Sequence, residues 1–422
     1  MRLSTWVTTS PLIVRFRAAS GCTPTTSGVV RDHAEMTPSP AWMSLRTGLP
    51  VTGKFDKFFV ILAANFFFFL NFSQLLLLPK FIVHLGFTPK DIGLVMASFS
   101  FSVLAALPLV GIISEKMPRR WMFVFGSVLM FLPTYLYTLV EDMGPCIFGL
   151  RILQGVGFAS AFGVSATMVF ESVPQTHRKF LLGVLTASNI STHAIGPVFG
   201  EYMIHAFGFF WFFSSAAFLG GLSCLTGLFL PADSGKEAPV ETRFTVAIPA
   251  LGATAVLGAV FGSTIIFLPP FLMSEGIGNS SPFFVCFVTG SVVVWAVLFR
   301  FMNRLNERML WFVAVVLMVA LPASFVGSFT MKLLWVLSLF FGIGYGYLYP
   351  SLNASIMDAV PTMRGVGNSL FVWAFNLGML LASLGFGYLS DLFGYTPAFV
   401  MTAVVGLFLM VVPFTAPSSV NQ

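Results

Sequence analysis

Charge is what this sequence has least of. Lys, Arg, Asp and Glu make up 9% of its 422 residues, against about 25% in an ordinary soluble domain. Cysteine is as sparse. Cys22, Cys146, Cys224 and Cys286 stand far apart, with no metal or redox spacing, so neither a disulfide framework nor a metal site is implied. No Ser/His/Asp set and no paired carboxylates appear, so neither an enzyme nor a cofactor is expected. Acids are missing from the middle of every apolar run. Glu171 and Glu201 fall near predicted helix ends, so a proton couple built on a mid-membrane acid is not expected. What is present is apolar: 57% hydrophobic residues, 50 of all residues Phe, and a mean hydropathy of +0.90. That composition describes a polytopic helical membrane protein with lipid as its main partner. The net charge of +6 gathers at helix ends, where it marks topology and not nucleic-acid binding.

Residues 1–52 differ from the rest, being rich in Ser, Thr, Pro and Arg. The run Pro11–Val14 is cut by Arg15 and Arg17, too short for a signal-peptide core. This reads as a disordered cytoplasmic leader, and Met36 and Met43 are alternative starts. Twelve apolar segments of spanning length follow, at 58–79, 91–113, 121–140, 145–169, 180–204, 209–230, 244–271, 282–302, 309–328, 333–355, 365–388 and 396–415. The expected organisation is an N-terminal six-helix bundle over 53–230, a cytoplasmic linker over 231–243, a C-terminal six-helix bundle over 244–416 and a tail over 417–422.

Orientation follows from Lys and Arg. With the N-terminus inside, the inner ends hold Lys54, Lys57, Lys116, Arg119, Arg120, Arg178, Lys179, Lys236, Arg243, Arg300, Arg304, Arg308 and Arg364. The outer ends hold only Lys80, Lys90 and Lys332. The bias places both termini in the cytoplasm of a plasma (inner) membrane protein.

The two halves repeat. Gly155-Val156-Gly157 recurs 187 residues later as Gly342-Ile343-Gly344, and Glu171-Ser172-Val173-Pro174 recurs at the same offset as Asp358-Ala359-Val360-Pro361. Phe207-Gly208-Phe209 matches Phe393-Gly394-Tyr395, one residue out of step. Coincident spacing over this length argues for six helices used twice.

Arg151 is the only charge between Ile147 and Phe170. A charge at that depth costs about 2.5–3.5 kcal/mol on insertion scales, and Arg cannot deprotonate to escape it. It must find acceptors in a protein interior or a wet cavity. Arg151, Gln154, Gly155 and Phe158 fall at i, i+3, i+4 and i+7, on one helix face. Either Arg151 is a structural bond to a neighbouring helix or it serves transport. Its expected acceptors are the amides of Asn71 and Gln74, which lie at comparable depth on the first helix.

Three stretches make the chain similar to transporters of the major facilitator superfamily, over about residues 53–416. Gly111-Ile-Ile-Ser-Glu115-Lys116-Met-Pro118-Arg119-Arg120 resembles the family's loop after helix 2, with Glu115 and Pro118 where Asp and Gly are usual. Arg151-x-x-Gln154-Gly155 resembles the motif of helix 4. Gly196-Pro197-Val198-Phe199-Gly200 resembles the antiporter motif of drug and metabolite exporters, although Thr192 and Glu201 stand where that motif has further glycines. The resemblance implies alternating access between two halves, with export of a small organic molecule coupled to protons. Uptake of a metabolite, by symport or facilitated diffusion, is the alternative. A membrane sensor that kept the fold without transport is another.

The residues support roles on their own. Gly111 is expected to let two helices approach at the cytoplasmic face, with Glu115, Lys116, Arg119, Arg120, Arg304 and Arg308 forming a gate around it. Pro197 bends helix 5, and Gly196 and Gly200 beside it are expected to admit a helix of the other half as a hinge. Asn189 and His193 share that face; His193 is either a buried neutral group satisfied by Asn189 or the proton carrier. Tyr345 and Tyr349 align on helix 10, and Asn368 with Asn376 on helix 11, completing the expected substrate or proton pathway.

Overall fold

The computed structural model describes residues 52–114, 117–173, 177–231, 248–295, 306–325, 330–359 and 364–411. The leader, the linker and the tail therefore lie outside the described residues, apart from Thr52 and Pro231 at their borders, as do Glu115, Lys116 and Arg304. The architecture is all-helical. The first crossing is made of α1 (Thr52–Gln74), a 3-10 turn at Leu75–Leu77, and α2 (Leu78–His84). Then come α3 (Pro89–Ser114), α4 (Arg119–Leu136), α5 (Pro145–Ser172), α6 (Arg178–Phe207) and α7 (Phe209–Gly227). The second half comprises α8 (Ile248–Ser274), α9 (Ser281–Val293), α10 (Glu307–Ser324), α11 (Met331–Asp358), α12 (Arg364–Phe393) and α13 (Tyr395–Leu407). Among the described residues nine helices are long and apolar enough to cross a membrane, and two shorter apolar ones are Ser281–Val293 and Tyr395–Val411. The remaining crossing, α6, the fifth in chain order, is more polar because it carries Thr186, Asn189, Thr192, His193 and Glu201.

Successive helices alternate in direction, so the protein has two ends. One, the basic end, bears Arg119, Arg120 and Arg308. The other bears Lys80, Lys90 and Lys332, and its turns repeat between the halves. Gly86 and Gly276 close the first crossing of each half in the left-handed region, at φ 84° and 75°. In both, the next residue's N–H reaches back to the last turn: Phe87 donates to Ile82 O and Ile277 to Leu272 O. These are helix stops that a side chain would strain. Gly208 and Gly394 take φ 84° and 85° in the turns before α7 and α13.

The glycine repeat also has a packing meaning. A Cβ on Gly155 would strike Phe99 O and Ser102 of α3, and one on Gly157 would strike Gly126 O and Leu129 of α4. In the second half Gly342 abuts Phe287 O of α9 and Gly344 abuts Ala314 O and Met318 of α10. Thus α5 is wedged between α3 and α4 as α11 is between α9 and α10. Lipid provides no hydrophobic drive between helices, so association rests on such close backbone contact. Hydroxyls pin the same seams: Ser102 Oγ donates to Ile152 O at 2.6 Å and Ser291 Oγ to Gly342 O at 3.0 Å.

The halves meet along α3 with α12 and α6 with α9. The closest contacts lie at the end away from the basic residues. Gly93 packs on Ser383 O and on the Cα of Gly387, and the Lys90 ammonium sits 5.0 Å from the centre of the Tyr388 ring. At the basic end the picture is different. A Cβ on Gly111 or on Gly183 would meet nothing within 4 Å, and Leu109, Ile112 and Ile113 are exposed. The residues that the gate around Gly111 would bring together, Glu115, Lys116 and Arg304, lie outside the described residues.

Candidate functional site

A polar chain runs through the apolar interior of the first half. Asn71 of α1 donates through Nδ2 to Ala216 O of α7 at 2.7 Å and to Thr134 Oγ1 of α4 at 3.3 Å. Gln154 of α5 donates through Nε2 to the same hydroxyl at 3.0 Å, and Thr134 passes its own proton to Met130 O at 2.6 Å. Thr134 thus accepts twice and donates once, which fills its capacity. Gln154 Oε1 accepts from Tyr137 at 3.3 Å and from Arg151 Nη1 at 3.1 Å.

Arg151 ends this chain. It is 3% exposed, with Nη2 2.8 Å from Met96 Sδ and its guanidinium 5.3 Å from the centre of the Phe99 ring. Its Nε has no partner. The expected direct bonds to Asn71 and Gln74 are not formed. Arg151 reaches Asn71 only through Gln154 and Thr134, because α5 lies against α3 and α4 more than against α1. Gln74 instead points to Ser215 of α7 at 3.5 Å and keeps Oε1 unpartnered. The side chain is held by neutral acceptors, so its charge is not cancelled locally.

A second polar group lies between α1 and α6. Ser73 Oγ is 2.9 Å from Thr192 Oγ1 and 3.5 Å from His193 Nδ1, which itself is 3.2 Å from Asn189 O. His193 is therefore satisfied by the Asn189 backbone, while the Asn189 side-chain oxygen has no partner. The His193 ring faces Phe72 at 6.1 Å, at the edge of a cluster in which Phe158 lies 4.9 Å from Phe72 and 5.7 Å from Phe99. The second half offers a matching wall. Tyr345 stacks on Phe261 at 4.6 Å, and Tyr349 lies 5.2 Å from Tyr345 and 5.6 Å from Phe375. Asn368 accepts from Asn353 at 3.5 Å, and Asn376 donates to Val372 O of its own helix.

The glycines beside Pro197 do not contact the other half. Gly196 packs on Ser73 and Gln74 of α1, and Gly200 on Leu77 and on Phe212 of α7. They let α6 lie close to the first helix of its own bundle. The face that α6 turns to α9 is apolar instead, with Ile195, Val198, Phe199 and Tyr202 beside Val285.

The sequence reading missed the strongest electrostatic feature. Lys80 and Glu201 are both buried, 3% and 2% exposed, and form an ion pair at 2.5 Å. Glu201 lies about 9 Å from the end of α6, inside the protein and not at its margin. The same Oε1 accepts from the N–H and the hydroxyl of Ser280, and Lys80 Nζ donates to Gly278 O. His205 Nε2 lies 3.5 Å from the other carboxylate oxygen. The only sequence signal was an acid standing where the resembled motif has glycine.

Comparison with known proteins gives these arrangements a context. The model of the Major Facilitator Superfamily matches residues 60–371 and 252–420. The chain is 24% identical over 370 residues to the inner membrane transport protein YdhP of Escherichia coli (strain K12), covering 82% of this chain and 92% of that one. It is 26% identical over 129 residues to Multidrug resistance protein 3 of Bacillus subtilis (strain 168), covering 31% of this chain and 25% of that protein. Among solved structures, the nucleoside transporter NupG (D323A mutant) matches with a TM-score of 0.71 at 14% identity, covering 84% of this chain and 98% of NupG. At that identity the likeness speaks for the fold.

Proposed function

The chain belongs to the major facilitator superfamily and is a secondary transporter of small molecules; we propose that it exports a small organic molecule in exchange for protons. The observation that carries the reading is α6. Pro197 breaks its hydrogen-bond ladder, Gly196 and Gly200 seat it on α1, and the hydroxyl–imidazole group of Ser73, Thr192 and His193 lies at that seam. This is the stretch that resembles the exporters' motif, and a multidrug resistance protein is among the relatives. In the proposal His193 takes the coupled proton, since the one buried acid of α6, Glu201, is already engaged by the Lys80 ammonium and by two donors of Ser280.

The substrate binds between the halves near mid-membrane, in contact with the aromatic walls around Phe158 and Tyr345. Those walls suit a largely apolar molecule, and Arg151, held by neutral groups, favours one with an anionic or strongly accepting substituent. The positive-inside bias puts the basic end in the cytoplasm. On that assignment the contacts of Gly93 with Ser383 and Gly387 and of Lys90 with Tyr388 lie at the outer end, and closure there is the state that would load cargo from inside.

The test is a substrate screen by counterflow in proteoliposomes, followed by imposed pH gradients. An antiporter accumulates substrate when the lumen is acid. Accumulation with an alkaline lumen marks a symporter and overturns the exchange reading; equilibration in both marks a facilitator. Counterflow of no compound in a broad screen favours the sensor.

A further inference from the structure

We infer that Lys80, Glu201, Ser280 and Gly278 form the gate that closes the end of the transporter away from the basic residues, with the ion pair belonging to one half and its ligands to the other. The inference rests on the reading that the two halves rock against each other. Lys80 is on α2 and Glu201 on α6, both in the first half. Gly278 and Ser280 precede α9 in the second half. The loop between α8 and α9 meets the pair with matched polarity: two donors, Ser280 N at 2.9 Å and Ser280 Oγ at 2.5 Å, point at the carboxylate, and one acceptor, Gly278 O, points at the ammonium.

This division has a mechanical consequence. When the halves part, the Lys80–Glu201 pair travels intact with the first half, so no isolated charge is left in an apolar interior. Only the loop's three bonds break, and water at the opened end replaces them. A pair placed across the interface would have had to separate two buried charges at each cycle. Near the gate, Gly93 against Gly387 and the Lys90–Tyr388 contact add shape and one cation–π interaction, but neither holds a buried charge to the other half. His205, 58% exposed, touches the second carboxylate oxygen from the water side.

The fixed polarity of the loop gives a test that separates a gate from a brace within one bundle. The full chain, with its four cysteines replaced by serine, is spin-labelled at Asp142→Cys and Lys332→Cys on this end, or at Met117→Cys and Arg308→Cys on the basic end, all exposed positions. Inter-label distances are measured in liposomes without substrate. Lys80→Met alone strands a buried carboxylate and is expected to lower abundance. The exchange Lys80→Glu with Glu201→Lys restores the pair and the abundance, yet presents an ammonium to Ser280 N–H and a carboxylate to Gly278 O. The expected result is folded protein whose closed population at this end is lost, with the basic-end distance shortening in step. Ser280→Ala, which removes one hydrogen bond to a charged group, is expected to lower the closed-to-open ratio about tenfold. An exchange variant as closed as the parent would overturn the gate and leave a bundle brace. Loss of alternating access itself would show differently, as distances at both ends that stay fixed in the parent even with a compound that gives counterflow.

Discussion

Replacing Arg151 with Met should leave the fold nearly untouched and stop transport. The guanidinium's cost in the membrane interior is about 2.5–3.5 kcal/mol on insertion scales. Against it stand a charged hydrogen bond to Gln154, contributing about 1.5–3 kcal/mol, and the Phe99 contact, about 0.5–2 kcal/mol. Gain and cost agree to within about 2 kcal/mol, so the residue is close to neutral for stability. Met leaves no new orphan, since Gln154 Oε1 keeps Tyr137 and Gln154 Nε2 keeps Thr134. The melting temperature in detergent is expected to stay within about 4 °C of the parent, the shift that ~1–2 kcal/mol produces in a large chain. Counterflow is expected to fall at least about tenfold, equivalent to ~1.4 kcal/mol. Arg151→Lys should fail similarly, because an ammonium cannot span Gln154 and Met96 as the planar fork does. Normal transport by the Met variant would refute the functional reading; loss of folded protein would make Arg151 a structural residue whose worth exceeds this sum.

Three further expectations follow from named contacts. His193→Gln should abolish accumulation driven by a pH gradient but spare substrate exchange; equal loss of both, or of neither, counts against a proton on His193. In Gly378→Ala the new methyl would collide with Ala255 O, so α8 and α12 must separate, at a cost of about 1–3 kcal/mol; Gly385→Ala, which meets nothing within 4 Å, is the control, and equal thermal stability of the two would refute the packing argument. Thr134→Val keeps the shape but strands Gln154 Nε2, and should destabilise by about 0.6–1.7 kcal/mol, read as a lower melting temperature with the helix content unchanged.

The spans were legible because length and hydropathy are local properties. Each expected segment overlaps one observed helix crossing, and helices such as α1 and α12 run past the predicted apolar stretch into its polar flanks. The glycine repeat was legible too, since Gly155 with Gly157 and Gly342 with Gly344 face equivalent neighbours in their own halves. Arg151 announced itself by its isolation. What stayed hidden depends on pairing over long separations. Lys80 at a helix end has the look of a topology marker, and Glu201 that of a helix boundary; only the fold brings them together across 121 residues. The partners of Gly196 and Gly200 were misjudged for a related reason. Small residues tell that something comes close, but not which helix or in which state of the cycle.

Besides the seams of α3 with α12 and α6 with α9, the two halves are tied at each end by connections of opposite character. At one end the contact is the noncovalent set around Glu201. At the other it is the chain itself, since between Pro231 and Ile248 lie 16 residues, enough to reach about 55 Å fully extended. A tether of that reach does not limit how far the basic ends swing apart. It does hold the partners of the gate at a high effective concentration, of about millimolar order for a short covalent connection. Re-closing is then an intramolecular event that needs little intrinsic affinity, so the contact around Glu201 is free to be weak enough to open at every turnover.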